Sequence, residues 1–173
     1  GNAGFLSQDT QPRTLADVNG DGRADIVGFH PDGVKVSLST GTGFTNPIEW
    51  YNFYGSNQGW ENTDLAPRFL TDVNGDGKAD IVGFRFIPGN HPNIEAYIAL
   101  STGSNFAPAT RWLPGFAWDG QNNTPLYLAD VNGDGKADVV AFSATGTHVA
   151  LSTGSTFQTE TIWSTDYINY REQ

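Results

Sequence analysis

The chain is 173 residues long, which suits one domain with a single core. Hydrophobic residues make up 38% of it, charged residues 16%, and there are 21 glycines, a composition of turn-rich β-structure rather than of a disordered chain. The net charge of −10 comes with no Lys/Arg cluster, which argues against nucleic acid; no apolar run is long enough for membrane insertion, and the lack of cysteine excludes disulfides and leaves the redox compartment unread.

In chain order, the first strong feature is a nine-residue loop, Asp-Val-Asn-Gly-Asp-Gly-Arg-Ala-Asp, at 17–25. It returns at 72–80 and 130–138 with only the seventh residue changed, to Lys78 and Lys136. Oxygen-bearing side chains stand at positions 1, 3, 5 and 9, with Gly at position 6. Ca²⁺ takes six to eight oxygens at roughly 2.3–2.6 Å, and a tight loop can aim alternate side chains and one carbonyl at a point. The expected ligand sets are Asp17, Asn19, Asp21, the Arg23 carbonyl and Asp25; Asp72, Asn74, Asp76, the Lys78 carbonyl and Asp80; and Asp130, Asn132, Asp134, the Lys136 carbonyl and Asp138. About three calcium ions per chain follow. The bland alternative is an Asx-rich turn without metal, but three clustered carboxylates per loop repel one another unless a cation joins them. An EF-hand is excluded, since position 12 is Gly28, Gly83 or Ala141 rather than a bidentate Glu.

Each loop is preceded by a Pro (Pro12, Pro67, Pro125) and followed by an apolar run, Ile26-Val27-Gly28-Phe29 in the first copy. An alternating segment ending in Leu-Ser-Thr-Gly comes next, then Phe44, Phe106 or Phe157, and six residues later Trp50, Trp112 or Trp163. In the second copy, strands are expected at 68–71, 80–84, 95–101 and 109–113, with an inserted hairpin tip at 85–92. Four strands in a period of 55 to 58 residues describe one β-propeller blade. The fold class is thus all-β: three blade-like repeats at about 12–66, 67–124 and 125–173 in one domain, with 1–11 joining a blade junction. Three blades are fewer than the four to eight of an ordinary ring. Completion is expected either from a homo-oligomer, two copies making six blades, or from further blades in a longer chain.

The pattern Asp-x-Asn-x-Asp-Gly-x-x-Asp followed by Ile-Val-Gly-Phe resembles the FG-GAP/VCBS repeats of integrin-like propellers. With Asn52-Phe53, Gln58-Gly59-Trp60 and Pro67-Arg68-Phe69-Leu70 around it, the repeat is similar to the Psathyrella velutina lectin type. The resemblance implies a calcium-braced propeller with sugar sites between neighbouring blades. It also shows departures: Gly-Trp survives only at Gly59-Trp60, and Leu126 stands where Arg13 and Arg68 stand.

Trp50, Trp112 and Trp163 recur in register with the strands and read as blade packing. Trp60 and Trp118 lie in polar loops, where an aromatic face can pack against the C–H side of a sugar while amides bond its hydroxyls. With Asn52, Asn57, Gln58 and Arg68 they are the candidate carbohydrate-binding residues. No catalytic set is expected: His30, His91 and His148 have no metal spacing, and no carboxylate pair is favoured for glycoside hydrolysis. The expected function is a non-catalytic, calcium-stabilised lectin-like module. The alternative is a protein-interaction or structural module of integrin-like type, appended to a larger secreted enzyme or toxin. Loops without the bidentate Glu suit the high calcium outside cells, so the expected location is extracellular.

Overall fold

The computed structural model describes residues 7–86, 94–112 and 120–166. They form three four-stranded antiparallel sheets, each strand hydrogen-bonded to the next in sequence. The first is β1 (Arg13–Ala16), β2 (Asp25–His30), β3 (Gly33–Ser37) and β4 (Ile48–Tyr51); the second is β5 (Arg68–Thr71), β6 (Asp80–Phe86), β7 (Ile94–Ala99) and β8 (Thr110–Trp112); the third is β9 (Leu126–Ala129), β10 (Asp138–Ser143), β11 (Gly146–Ala150) and β12 (Thr161–Ser164). These are three meander blades of propeller type. They follow from short β-branched and aromatic runs cut by Gly, Asn and Asp turns.

The expected strands of the second repeat appear with small shifts: β6 runs on to Phe86 and β7 ends at Ala99. The rest of the inserted tip lies outside the described residues. One element was not anticipated, a single 3-10 turn over Ser56–Gln58 closed by Gly59 in the left-handed region at φ 84°.

Register is fixed at both ends of each blade. The Asp-rich loop joins the first two strands, with Ala16 facing Asp25, Thr71 facing Asp80 and Ala129 facing Asp138. The Leu-Ser-Thr-Gly turn closes on an isolated bridge, Ser39 to Phe44, Ser101 to Phe106 and Ser152 to Phe157. The two-residue hairpin between β2 and β3 needs its glycine. Gly33 holds φ 153°, and a Cβ there would meet the Tyr51 carbonyl at 2.3 Å.

The core lies between blades. One buried cluster joins Val18, Phe29 and Trp50 of the first blade to Ile81, Ala99 and Phe106 of the second. The other joins Val73, Phe84 and Trp112 to Leu126, Val139 and Phe157 of the third. Trp50 and Trp112 therefore pack blades together, as their periodic placing predicts; Trp163 is half exposed.

Candidate metal loops and inter-blade cleft

The three Asp-rich loops share one hydrogen-bond scheme. The carboxylate at position 1 accepts backbone N–H groups from positions 4 and 6: Asp17 Oδ1 from Gly20 at 2.7 Å and Oδ2 from Gly22 at 2.7 Å, with the same bonds at Asp72 and Asp130. Asn19, Asn74 and Asn132 accept from the N–H of position 5. Position 9 is a buried clamp. Asp80 accepts from Val73 N at 3.1 Å and Ser101 N at 2.7 Å, and so joins the loop to the end of β7. Asp25 and Asp138 do the same with Val18 and Ser39, and with Val131 and Ser152. Position 7 pairs with position 5: Arg23 with Asp21, Lys78 with Asp76 at 2.8 Å and Lys136 with Asp134 at 3.0 Å.

The loops thus gather the expected oxygens on three tight turns. Among the described residues, however, no group of three or more acidic, His or Cys side chains converges as a metal-ligand cluster; the carboxylates are turned toward their own backbone N–H groups. The electrostatics still suit a cation. Burial pushes the Asp80 carboxyl up to about 7 despite its two N–H donors, and the charges of Asp76 and Asp72 add to the rise. Asp138 is raised for the same leading reason. Asp134 is held below the ordinary carboxylate range chiefly by Lys136, and Asp130 chiefly by the Gly135 N–H. A hard dication beside such a set would reverse the penalty on the buried position 9.

Of the candidate sugar residues that are described, Trp60 and Arg68 are buried while Asn52 and Asn57 are exposed. Trp60, expected as an open platform, is fully buried. Its ring lies 4.9 Å from Tyr54 and 5.9 Å from Phe53, with the Arg85 guanidinium 5.3 Å away. A Cβ on Gly83 would fall 2.6 Å from the indole, so that glycine exists to admit the ring. Tyr54 reaches this cluster through a left-handed backbone, φ 64°, and its hydroxyl donates to the Tyr97 carbonyl at 2.9 Å. Arg68 is also buried. It donates to the carbonyls of Tyr54 and Asp9, and its guanidinium lies 5.2 Å from the Phe29 ring. Burial lowers its pKa to about 10. It braces the first two blades, and the buried Leu126 takes the corresponding place in the third. Asn52 and Asn57 are exposed, and Asn57 donates to Asp32 at 2.7 Å. The Gln58 side chain accepts from Gly55 N. Trp118 lies outside the described residues.

A cleft of about 400 Å³ forms elsewhere, from the three segments that lead into β1, β5 and β9: Asp9, Asn62, Thr63, Asp64, Leu65, Gln121 and Asn122. Its walls are stapled in sequence. Asp9 Oδ1 accepts from Thr63 N at 2.8 Å and Thr63 Oγ1 at 2.9 Å, and Asp64 Oδ1 accepts from Asn122 N at 2.8 Å. The sequence held one trace of this: an Asp or Asn stands three residues before each repeat's Pro, as Asp9, Asp64 and Asn122.

The FG-GAP-like repeat pattern matches residues 17–82 and 72–141, across all three Asp-rich loops. The chain belongs to the FG-GAP-like repeat family. An Agrocybe aegerita lectin, solved for its specific recognition of non-reducing terminal N-acetylglucosamine, is 31% identical over 91% of this chain, with a TM-score of 0.78. This chain spans 39% of that lectin. The Photorhabdus luminescens Tc holotoxin pore (22% identity, TM-score 0.63, 86% of this chain and 7% of that one) and the TcdB2-TccC3-Cdc42 complex (24%, 0.59, 77% and 6%) share the fold. No curated protein matches the sequence.

The cleft presents amides, carboxylates and the half-exposed Leu65, a mixture suited to a small polar ligand with one apolar side. Among the described residues no helix is long and apolar enough to cross a membrane.

Proposed function

We propose that this chain is a non-catalytic carbohydrate-binding module whose blades are braced by calcium, acting outside the cell. The observation that carries the reading is the 31% identity, over 91% of the chain, to a lectin directed at terminal N-acetylglucosamine. The sugar would sit in the inter-blade cleft, with Leu65 against a C–H face and Asn62 and Gln121 beside its hydroxyls or amide. Calcium would be held by the side chains at positions 1, 3, 5 and 9 of each loop and the carbonyl at position 7. When bound, it supplies positive charge to the loop carboxylates and fixes loop shape, away from the sugar.

An N-acetylglucosamine-terminated oligosaccharide titrated into the calcium-loaded protein should bind. Asn62→Ala and Leu65→Ala should each weaken that binding by roughly tenfold, about 1.4 kcal/mol. Full affinity in both variants would remove the cleft from the account.

The buried position 9 also predicts a pH dependence. Asp80 has a folded pKa of about 7 against an ordinary value of 3.8. Folding therefore takes up protons between these values, and the associated stability, full below the lower value, is lost as pH rises through the upper. In excess chelator, thermal unfolding should come at higher temperature at about pH 5 than at about pH 8. Millimolar calcium should flatten that difference, because the bound cation favours the ionised carboxylate. A chelated protein that gains stability across this window would contradict the assignment.

A further inference from the structure

The cleft assigned above to a sugar has an acidic lining. Asp9 reaches it from the segment before β1 and Asp64 from the segment before β5, while no Lys or Arg side chain lines it. Neither carboxylate takes part in an ion pair among the described residues. Each is instead fixed on one oxygen by neutral donors. Asp9 Oδ1 accepts from the N–H and the hydroxyl of Thr63, and Asp64 Oδ1 accepts from Asn122 N. The Asp64 main chain is held as well, its carbonyl accepting from Gln121 N at 3.0 Å. Gly120 closes behind the side chain at φ 103°, where a Cβ would meet Asp64 Oδ1 at 3.0 Å and Oδ2 at 3.1 Å.

Neutral donors place a carboxylate without cancelling its charge. The Thr63 bonds, with a smaller contribution from the Arg68 charge, hold the Asp9 carboxyl below its ordinary range. Arg68 itself is buried and donates to the Asp9 carbonyl at 3.2 Å rather than to its carboxylate. The second oxygen of each side chain, Oδ2, accepts no hydrogen bond from a described residue, which leaves it open to a donor on the ligand. An ionised carboxylate is an acceptor only. Its charge strengthens a bond from a sugar hydroxyl or amide N–H. A carboxylate or sulfate on the ligand would instead set acceptor against acceptor and like charge against like charge. In a cleft of about 400 Å³ such a group stays close to both walls, inside the Debye length of roughly 8 Å within which salt screens little.

We infer that Asp9 and Asp64 are specificity-determining residues: the cleft admits neutral sugar termini and rejects termini that carry a carboxylate or sulfate. The inference rests on the carbohydrate reading of the cleft and adds its charge selectivity.

Three oligosaccharides of one core test it by calorimetric titration into the calcium-loaded protein: one ending in N-acetylglucosamine, one in its 6-O-sulfate and one in its 6-O-acetyl ester, a neutral control for added bulk. The sulfated ligand should bind about tenfold or more weakly than the other two. That gap should narrow as salt rises from about 0.05 M to about 0.5 M. Asp9→Asn combined with Asp64→Asn removes both charges and keeps an oxygen to accept from Thr63 and Asn122. This variant, shown to be folded by circular dichroism, should bind the sulfated and unsulfated ligands within about twofold of each other. The salt series needs no variant and decides the matter if the double substitution does not fold. Equal binding of the sulfated ligand at low salt would overturn the charge selectivity and leave the carbohydrate reading standing. Weak binding shared by the acetyl ester would assign the rejection to bulk and overturn the inference too, as would a gap that neither salt nor the substitutions change. Binding of none of the three would overturn the carbohydrate reading itself, and this inference with it.

Discussion

Removal of calcium should lower the melting temperature by roughly 15–30 °C. An ion held at a hundredfold excess over its dissociation constant adds about 2.7 kcal/mol per site, and three sites acting independently would add about 8 kcal/mol. Each kcal/mol moves the midpoint of a domain of this size by about 2–4 °C. The physical source is visible in the loops: each confines three Asp side chains, the last fully buried, with one cationic side chain paired to position 5. Asp21→Ala, Asp76→Ala and Asp134→Ala should each reduce the bound ions by one while leaving the other two sites filled. Calorimetry in excess chelator and in calcium measures the first effect, and equilibrium dialysis counts the ions. Identical melting in the two conditions would end the structural role assigned to the loops.

Trp60→Ala should cost about 3–5 kcal/mol, the range for removing a large buried aromatic, against a total stability of about 5–15 kcal/mol for a typical domain. The indole fills the space among Phe53, Tyr54, Tyr97 and the Arg85 guanidinium, and nothing nearby can collapse into the gap without breaking those ring contacts. Gly83→Ala attacks the same contact from the other side by overpacking, at about 1–3 kcal/mol. Denaturant unfolding measures both. The substitution also separates two roles for Trp60. A packing residue loses stability; an open sugar platform would keep full stability and lose ligand. The buried ring predicts the first result.

The blades were legible because their signals are local and repeated. Alternating apolar residues place β7, Asp and Gly at fixed loop positions place the β1–β2, β5–β6 and β9–β10 turns, and the Phe and Trp that recur after Leu-Ser-Thr-Gly place the blade contacts. What misled was a polar neighbourhood around a buried ring. Trp60 sits among Asn57, Gln58 and Gly59, yet the chain folds it inward through the left-handed Tyr54, which no sequence rule anticipates at a bulky residue. Arg68 misled in the same way, since its buried position is set by the Tyr54 and Asp9 carbonyls it bridges, a contact spanning two blades. The cleft was illegible because it exists only when loops 58 residues apart come together, Asp64 against Asn122.

Binding of the folded, calcium-loaded protein to a glycan array, repeated in chelator, tests the calcium-braced lectin reading most directly. The account predicts selective binding to terminal N-acetylglucosamine glycans in calcium and its loss in chelator as the loops loosen. Absence of binding to any glycan, by protein shown to be folded and calcium-loaded, would contradict it and favour a protein-interaction module instead.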